Sequence, residues 1–470
     1  MSFQGNSDTW AREMFAQCDL GDKRRTERLV NVARQVVDNP SGSLPGQMDT
    51  WAQLKAAYRL FDTDQVTFDA IATPHWQHTR SQARGRTLVI CDTTELDFGI
   101  RRDDIAGLGP TGNGTGRGFL LHNALLVDAA TRTILGVAGQ AIHYRPKKKH
   151  SKKETSAQKL KRRRESEVWG RVIDNVGKPP DGAEYVCVCD RGADNFEVFC
   201  HLKQHNSGWV IRAKARNRKL LTLEGKSVTL GGYLPRLALR GSYELHLRAR
   251  PGQPARTAKI EVRTGSVRMP VPRHTSAWVK SLDPQPIDLN VVWVREVDAP
   301  DGTQPVEWVL YTSQPIETFA QVWEIIEDYE SRWLIEEYHK ALKSGCRVTA
   351  RQLKTAARLE AIVGLMSVVA VRLLQLKTLA KAEPNRAART IVPLLWLQML
   401  KAARKKLRRV HDLTIYEFYR EVAKLGGFLG RKSDGEPGWI TIWRGWEKLN
   451  TLVRGAELAI ELKLEHKKCG

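Results

Sequence analysis

Two short runs of apolar and β-branched residues, each ending in an aspartate, constrain the fold of this 470-residue chain more than any other feature. The first run, TLVICD, ends at Asp92, and the second, YVCVCD, ends at Asp190. Unbroken apolar runs of this length are typical of central strands that are buried on both faces. Catalytic or ligand residues are common at the ends of such strands. The two runs therefore predict an α/β core that carries a polar site.

The remaining patterns divide the chain into three regions. Apolar residues at helical spacing over residues 1–75 predict a small helical domain with one basic face. Strand and helix patterns over residues 76–371 predict the α/β core. Within this core, alternating stretches separated by Pro and Gly over about 208–312 predict an antiparallel β-insertion. Helical periodicity over residues 372–470 predicts a helical C-terminal domain.

The charge of the chain indicates a polyanionic partner. Lys and Arg together number 75 against 52 Asp and Glu, which gives a formal net charge of +23. Such an excess attracts polyanions over a long range, so nucleic acid is the first candidate partner. The basic stretch 145–164 is interpreted as a solvated loop, with phosphate contact as the alternative.

Cysteine usage and apolar runs favour a cytoplasmic protein. Seven cysteines are an odd number and lack the spacing of a disulfide framework. The first residues lack the basic and apolar segments of a secretory signal. The longest apolar run, residues 361–376, contains Ser367, Arg372 and Gln375, so we expect a buried core helix there. No membrane partner is expected.

The stretch YESRWLIEEYHKALK, residues 329–343, combines an aromatic ring, an acid and several bases. On a helix that advances about 100° per residue, Arg332, Glu336 and Lys343 lie within about 60° of Tyr329. All four side chains would then share one narrow face. The alternative interpretation is an ordinary amphipathic helix with a solvated charged face.

Three acidic side chains together predict a metal site. Two buried carboxylates, Asp92 and Asp190, would repel each other and Glu336 unless cations lie between them. Mg²⁺ binds through a few carboxylates and phosphate oxygens, which suits phosphoryl transfer. Two such ions about 4 Å apart can activate the attacking oxygen and stabilise the leaving one. His122 and His339 are expected to be structural or solvent-facing instead.

The motifs around these residues resemble a known family. CDTT at Asp92, VCDRGAD at Asp190 and the pattern Y-x2-R-x3-E-x6-K over residues 329–343 are similar to the DDE triad and YREK signature of bacterial cut-and-paste transposases, in the insertion-sequence-four group. The likeness covers essentially the whole chain. Further matching segments are LGDKRRTERLVNVA, AAYRLF, GRGFLLHNALLVD, VAVRLLQL and GWITIWRGWEKL.

The resemblance implies a fold and a catalytic centre. The fold would be an RNase H-like α/β core with a β-rich insertion between the second Asp and the Glu, flanked by helical N- and C-terminal domains. Asp92, Asp190 and Glu336 would be the catalytic residues and would ligate two Mg²⁺ ions, with Mn²⁺ as an alternative metal. No nucleotide cofactor is implied.

The resemblance and the basic clusters also assign residues to DNA. Arg25 and Arg28 would contact the transposon end, although most arginine contacts go to the DNA backbone and carry no sequence information. A cluster that begins at Arg212 is expected at phosphates, with a solvated strand end as the alternative. The full set of expected DNA-binding residues is Arg25, Arg28, Arg212, Lys214, Arg218, Tyr329, Arg332, Lys340 and Lys343.

Two tryptophans match family positions around a base that is flipped from the duplex. Trp308 and Trp333 would hold this base, because an extruded base needs aromatic or apolar surface. For Trp308, which lies in a strand pattern, core packing is an equal alternative. The chain has Phe119 and Leu120 where the family's nearest member has two adjacent tryptophans, so we expect a rebuilt pocket.

The function implied by the resemblance is DNA transposition. The protein would bind terminal inverted repeats, cut at each end, pass through a DNA hairpin and join the freed 3′-OH ends to target DNA. Synapsis of two ends would require a homodimer, in contact through the helices from about residue 372. The alternatives are an RNase H-like structure-selective nuclease without strand transfer and a catalytically silent DNA-binding derivative. The protein would work in the bacterial cytoplasm, at the nucleoid.

Overall fold

The computed structural model describes residues 7–99, 105–146, 155, 158, 164–249, 254–407, 409–431 and 434–468. Most of the basic stretch 145–164 lies outside these residues. Its interpretation as a solvated loop therefore stays a prediction. The described chain is a mixed α/β protein, in which one large sheet is flanked by helices from both ends of the sequence.

The N-terminal region is helical, as its apolar spacing predicts. Its helices are α1 (Ser7–Phe15), α2 (Lys23–Asp38), α3 (Leu44–Gln47), α4 (Trp51–Phe61) and α5 (Phe68–Ser81). The side chain of Asp22 begins α2 by accepting a hydrogen bond from the backbone N–H of Arg24 at 2.8 Å. Thr50 and Gln53 form a capping box that begins α4.

Within the part of the chain that the structure describes, twelve strands form a single sheet. The first six are β1 (Gly85–Asp97), β2 (Gly109–Thr111), β3 (Gly116–Asp128), β4 (Ile134–His143), β5 (Ala183–Cys189) and β6 (Gly208–Arg212). The others are β7 (Lys219–Leu221), β8 (Ser227–Thr229), β9 (Ala238–Leu247), β10 (Arg256–Met269), β11 (Ile287–Val297) and β12 (Glu307–Thr312).

The part of the sheet that contains the two apolar runs has the strand order β4–β3–β1–β5–β6. Strand β3 pairs antiparallel with β1 and β4, whereas β5 runs parallel to β1 and β6. Both faces are covered, by α5 and a C-terminal helix on one side and by α6 (Glu167–Val176) and α7 (Phe196–Gln204) on the other. Successive residues of β1 therefore enter two different cores, which explains its unbroken apolar run.

The β-insertion extends the same sheet. Strand β12 pairs antiparallel with β6, and β11, β10 and β9 follow in antiparallel order; the short helices α8 (Leu230–Tyr233) and α9 (Ala277–Ser281) lie between its strands. The boundary expected at residue 208 differs from the structure, because the strand that begins there is β6, the parallel neighbour of β5. An apolar run as short as GWVIR does not reveal whether its partner is parallel or antiparallel.

The rest of the described chain is helical. Its helices are α10 (Phe319–Glu330), α11 (Trp333–Lys340), α12 (Ala356–Ala382), α13 (Leu394–Ala403), α14 (Ile415–Leu425) and α15 (Trp439–Lys468). The prediction of one helical face over residues 329–343 needs correction. Helix α10 ends at Ser331, whose hydroxyl donates to the carbonyl of Glu327 at 2.8 Å, and α11 passes into a π-helical turn at Ala341–Gly345.

Helix α12 explains the longest apolar run of the sequence. Among the described residues, it is the one helix that is long and apolar enough to cross a membrane. However, 88% of its most apolar window is buried inside the protein, against α5, β4 and the C-terminal helices. The prediction of a buried core helix is therefore confirmed.

Candidate active site

The two aspartates lie side by side in the sheet. Cys91 of β1 and Cys189 of β5 are register partners in a parallel pair, so Asp92 and Asp190 occupy the next positions on neighbouring strands. Asp190 follows β5 directly, as predicted, and its carboxylate accepts the N–H of Gly192 at 2.7 Å. Asp92 does not end its strand, because β1 continues to Asp97 in pairing with β3.

Arg332 joins Asp92 to Glu336. Its Nη1 donates to Asp92 Oδ2 at 2.8 Å, and its Nη2 donates to Glu336 Oε1 at 2.6 Å. Arg332 is the residue just before α11, and Glu336 lies one turn later on the same helix. The guanidinium group therefore lies between a carboxylate of the sheet and a carboxylate of the helix.

The pKa of Asp92 reports the proximity of all three acids. Burial raises the pKa of Asp92 to about 6, and the negative charges of Asp190 and Glu336 add to this rise. The N–H of Thr93, at 2.7 Å, and the charge of Arg332 act in the opposite direction. Three carboxylates thus repel one another in a partly desolvated place, and one guanidinium offsets part of this repulsion.

The three carboxylates are suitable ligands for a divalent metal ion, but in this structure they are not arranged around a common site. Within the described part of the chain, no group of three or more His, Cys, Asp and Glu side chains is placed to hold a metal ion. Arg332 occupies the space between Asp92 and Glu336. Carboxylate oxygens are nevertheless the ligands that Mg²⁺ and Mn²⁺ prefer, and the repulsion at Asp92 is the kind that a cation relieves. The chemistry of the three side chains therefore fits a hard divalent cation.

Comparison with known families gives three matches that follow one another along the chain. Residues 7–66 match a transposase DNA-binding family, and residues 368–463 match the Tn5 transposase dimerisation domain. Residues 86–372, more than half of the chain, match the transposase DDE domain. The chain belongs to the DDE transposase family. The predicted resemblance and the RNase H-like fold class with helical flanks are confirmed.

This membership establishes the class of activity. The transposase is a DDE nuclease and strand transferase that depends on divalent metal, with a DNA-binding domain at one end and a dimerisation domain at the other. DNA and a second copy of the chain are therefore its partners.

Tyr329, Trp308 and Arg212 lie together beside the acids of the transposase. The rings of Trp308 and Tyr329 meet edge-on, with centroids 5.3 Å apart. Burial raises the pKa of Tyr329, whereas the charge of Arg212 and its hydrogen bond to Tyr329 lower it. Trp308 is half-buried and packs against the main core. Both interpretations of Trp308, core packing and base contact, are thus compatible with its position.

Trp333 and the lysines have other surroundings. Trp333 is 54% exposed, and Lys340 Nζ lies 4.8 Å from the centre of its ring. Trp333 also lines a cavity of about 960 Å³ together with Arg86 and Lys377. Lys343 lies in the π-helical turn, where burial lowers its pKa and the charge of Glu95 opposes this effect.

The other expected DNA contacts are partly occupied by partners within the protein. Arg25 Nη1 donates to the carbonyl of Leu20 at 3.0 Å, whereas Arg28 is exposed. Arg218 forms an ion pair at 2.7 Å with Asp194, whose side chain is fully buried. The Lys214 N–H donates to the same carboxylate at 2.7 Å, which holds the chain after β6 in place. These contacts favour a structural role for Arg218.

The expected replacements and histidines near the site are buried, which for the histidines agrees with a structural role. Phe119 and Leu120, which replace the tryptophan pair, are 1% and 3% exposed, and Phe119 packs against Phe98 and Tyr144. His122 and His339 are both buried, so neither faces solvent. A signal for His122 was present in the sequence, since the polar pair His122 and Asn123 interrupts the otherwise apolar strand LLHNALLV.

Proposed function

We propose that this transposase binds the terminal inverted repeats of its element, excises the element through a DNA hairpin and joins its 3′-OH ends to target DNA. The observation that carries the proposal is the acid cluster. Asp92 and Asp190 lie on adjacent strands of an RNase H-like sheet, and Arg332 bridges Asp92 to Glu336. This arrangement concentrates negative charge where a DNA phosphate must be cut.

In the proposed site, Asp92, Asp190 and Glu336 hold two Mg²⁺ ions. When bound, such ions would lower the pKa of the attacking hydroxyl or water and stabilise the charge on the leaving oxygen. The protein's own contribution is the placement of the three carboxylates. Asp190 is fixed by the Gly192 N–H and Asp92 by the Thr93 N–H.

In this proposal, Arg332 first binds two carboxylates of the protein and later binds a DNA phosphate. In the free protein, its guanidinium binds Asp92 and Glu336. On the substrate, it releases both carboxylates and donates to a phosphate beside the cut, because guanidinium binds phosphate oxygens as well as carboxylate oxygens. Tyr329, which precedes α11, and Lys343, which follows it, bind the same DNA backbone. Lys340, Arg25, Arg28, Arg212 and Lys214 extend this contact.

Trp308 is proposed to receive the flipped base. It is half-buried, so part of its ring remains available, and the edge of Tyr329 fixes its orientation. Stacking on an aromatic ring stabilises an unstacked base by about 1–3 kcal/mol. Trp333, which is 54% exposed, offers a second aromatic surface on the helix that carries Glu336.

The proposed domains are residues 1–75 for the transposon end, 76–371 for catalysis and 372–470 for dimerisation. Support for the last comes from α15, where apolar side chains are exposed. Leu458, Ile460 and Leu462 are 59%, 49% and 58% exposed, an arrangement that favours a partner surface. We propose a synaptic homodimer on two DNA ends, in the cytoplasm and at the nucleoid.

The test uses a labelled duplex that carries the terminal repeat, with Mg²⁺ and a supercoiled target. Hairpin-ended intermediates and joined products are expected from the wild-type protein. Asp190→Asn keeps a side chain that can accept the Gly192 N–H but removes the charge, so we expect end binding without cleavage. Asp288→Asn, at an exposed carboxylate that pairs with Arg268, is the matched control and should cleave normally.

Each other outcome has a distinct meaning. Cleavage without joined products would indicate a nuclease without strand transfer. Binding of the duplex without cleavage by the wild-type protein would indicate a silent DNA-binding derivative. Normal cleavage by Asp190→Asn would contradict the catalytic role of this residue.

A further inference from the structure

A buried amide lies beside the acid cluster, on the strand next to that of Asp92. Asn123 of β3 is the register partner of Asp92 in the antiparallel β1–β3 pair, and it is 1% exposed. His339 lies on α11, three residues after Glu336, and it is 8% exposed. Asn123 Nδ2 and His339 Nε2 are 3.1 Å apart. One hydrogen bond thus connects β3, the strand paired with that of Asp92, to the helix that carries Glu336.

The direction of this hydrogen bond is set by its neighbours. Asn123 Oδ1 accepts from Gln140 Nε2 at 2.7 Å, which orients the amide, and Nδ2 also donates to the Leu121 carbonyl at 3.1 Å. The second Nδ2 hydrogen therefore points to His339, whose Nε2 accepts it. Burial lowers the pKa of His339 to about 3, and the charges of Lys343 and Arg332 act in the same direction. His339 is accordingly neutral, as an acceptor must be.

The hydrogen bond belongs to a larger buried network. Gln140 Nε2 donates to Ser367 Oγ of α12 at 3.1 Å, and Gln140 Oε1 accepts from Trp76 Nε1 of α5 at 3.3 Å. The network thus connects α5, β4, β3, α11 and α12. In a desolvated interior, each of these groups loses free energy if its partner is displaced. The network therefore favours one position of α11.

Helix α11 depends on such contacts because it is short and interrupted at both ends. It has eight residues, begins after the break at Ser331 and ends in the π-helical turn at Ala341–Gly345. Contacts with other elements therefore supplement its neighbours along the chain, and one of these contacts is the ion pair of Glu337 with Lys377 of α12. Apolar packing of Ile335 and Tyr338 holds α11 against the core, but such packing has little directional preference.

We propose that Asn123 and His339 are positioning residues, which fix α11 against β3, the strand paired with β1, so that Glu336 and Asp92 can share divalent metal. This inference rests on the proposed role of Asp92 and Glu336 as metal ligands. Neither positioning residue touches substrate or metal. Their part is to hold the carboxylate of the helix at the correct distance from the carboxylates of the sheet.

The test measures Mn²⁺ binding to the free full-length protein, by electron paramagnetic resonance of the unbound ion. His339→Leu removes the acceptor at similar volume, and we expect affinity for Mn²⁺ to fall about 10-fold or more, as for other residues that orient metal ligands. His339→Gln should restore binding, because its side-chain oxygen can accept from Asn123. Asn123→Ala should weaken binding similarly, and it carries the test if His339→Leu does not fold.

The matched control is a buried histidine in another part of the protein. His75 is 3% exposed, and its Nε2 accepts from the Val137 N–H at 3.3 Å. His75→Leu should lower the thermal midpoint much as His339→Leu does, yet leave Mn²⁺ affinity within about twofold. The double variant Asn123→Ala/His339→Leu should bind no more weakly than the weaker single variant, because both changes remove one interaction.

Two results would overturn the proposal. Wild-type Mn²⁺ affinity in folded His339→Leu would show that the hydrogen bond does not position Glu336, and so would a failure of folded His339→Gln to restore binding. The failure of the underlying function has a different signature. If Asp92→Asn binds Mn²⁺ as the wild-type protein does, the ligand assignment itself is wrong, and the inference is overturned with it.

Discussion

The guanidinium of Arg332 has two carboxylate partners in the free transposase, at 2.8 Å from Asp92 and 2.6 Å from Glu336. Hydrogen bonds to charged groups each contribute about 1.5–3 kcal/mol, so Arg332 competes with any cation for the same oxygens. We therefore expect Arg332→Ala to bind Mn²⁺ more tightly without DNA, by about tenfold or more. The same variant should cleave DNA more slowly, because it lacks the proposed contact of Arg332 with a phosphate. Electron paramagnetic resonance and end-cleavage rates measure the two effects.

Lys340→Ala is the control for this prediction. Lys340 also carries a positive charge on α11, but its ammonium group lies over the ring of Trp333. Its removal should change Mn²⁺ affinity in the free protein by less than about twofold, because this exposed ammonium group lies over Trp333 and does not bridge the two carboxylates. If Arg332→Ala bound Mn²⁺ no better than Lys340→Ala, the guanidinium would not be a competitor for the metal.

Residues of the site differ in how well the sequence predicts them. Asp92 and Asp190 were identified because each ends an apolar run, and the structure places them on adjacent strands. The pairing of Arg332 with two acids was not predicted, since a helical wheel does not reveal which strand lies beneath the helix. Asn123 and His339 were missed as a pair, because they are 216 residues apart and only the fold brings them together.

Helix α10 is attached to the sheet through a buried carboxylate. Asp328 is fully buried and accepts hydrogen bonds from Arg86 of β1 and, at 2.9 Å, from Arg132 in the β3–β4 turn. Asp328→Asn would leave two arginines facing a neutral amide. We expect a loss of about 3 kcal/mol in the free energy of unfolding, the lower end of the range for broken buried pairs, since both arginines reach solvent. Urea unfolding measures this loss.

A surface pair provides the comparison for Asp328. Arg268 and Asp288 are 2.9 Å apart, but their side chains are 44% and 78% exposed. Arg268→Ala should therefore change the free energy of unfolding by less than about 1 kcal/mol. Similar losses in the two variants would mean that burial does not strengthen the attachment of α10.

At the element scale, strand patterns were more reliable than helix limits. The apolar runs that predicted β1 and β5 are buried between two cores, so burial and sequence agree. The helix over 329–343 was predicted as continuous because its periodicity is strong on both sides of Ser331. Backbone breaks of one or two residues leave that periodicity almost unchanged, and a side-chain bond such as that from Ser331 to Glu327 is not visible in the pattern.

For the whole molecule, three of the buried histidines predict that the folded protein loses stability in acid. Burial lowers the pKa of His75, His122 and His339 to about 3, whereas the pKa of an unfolded histidine is about 6.5. Below pH 6.5 the unfolded chain therefore binds more protons than the folded protein, so stability falls as pH falls. Each histidine contributes a slope of about 1.4 kcal/mol per pH unit between these values.

Carboxyl groups such as Glu360, whose pKa burial raises, oppose this trend in part, so the measurement compares two proteins. Urea unfolding between pH 7.5 and pH 4 should give a shallower loss of stability for His75→Gln than for the wild-type protein. The difference between the two slopes should approach about 1.4 kcal/mol per pH unit below pH 6. Parallel curves would mean that His75 is protonated in the folded protein.

The continuity of the sheet fixes the distance between Trp308 and Asp190. Trp308 lies on β12 and Asp190 follows β5, and only β6 separates these two strands. Neighbouring strands lie about 4.8 Å apart, so the aromatic ring and the carboxylate are offset by about 10 Å across the sheet. Hydrogen-bonded strands cannot slide apart without breaking their ladder. If Trp308 receives a flipped base, as proposed above, the sheet would hold that nucleotide and the bond that is cut at one fixed separation, whatever the sequence of the DNA.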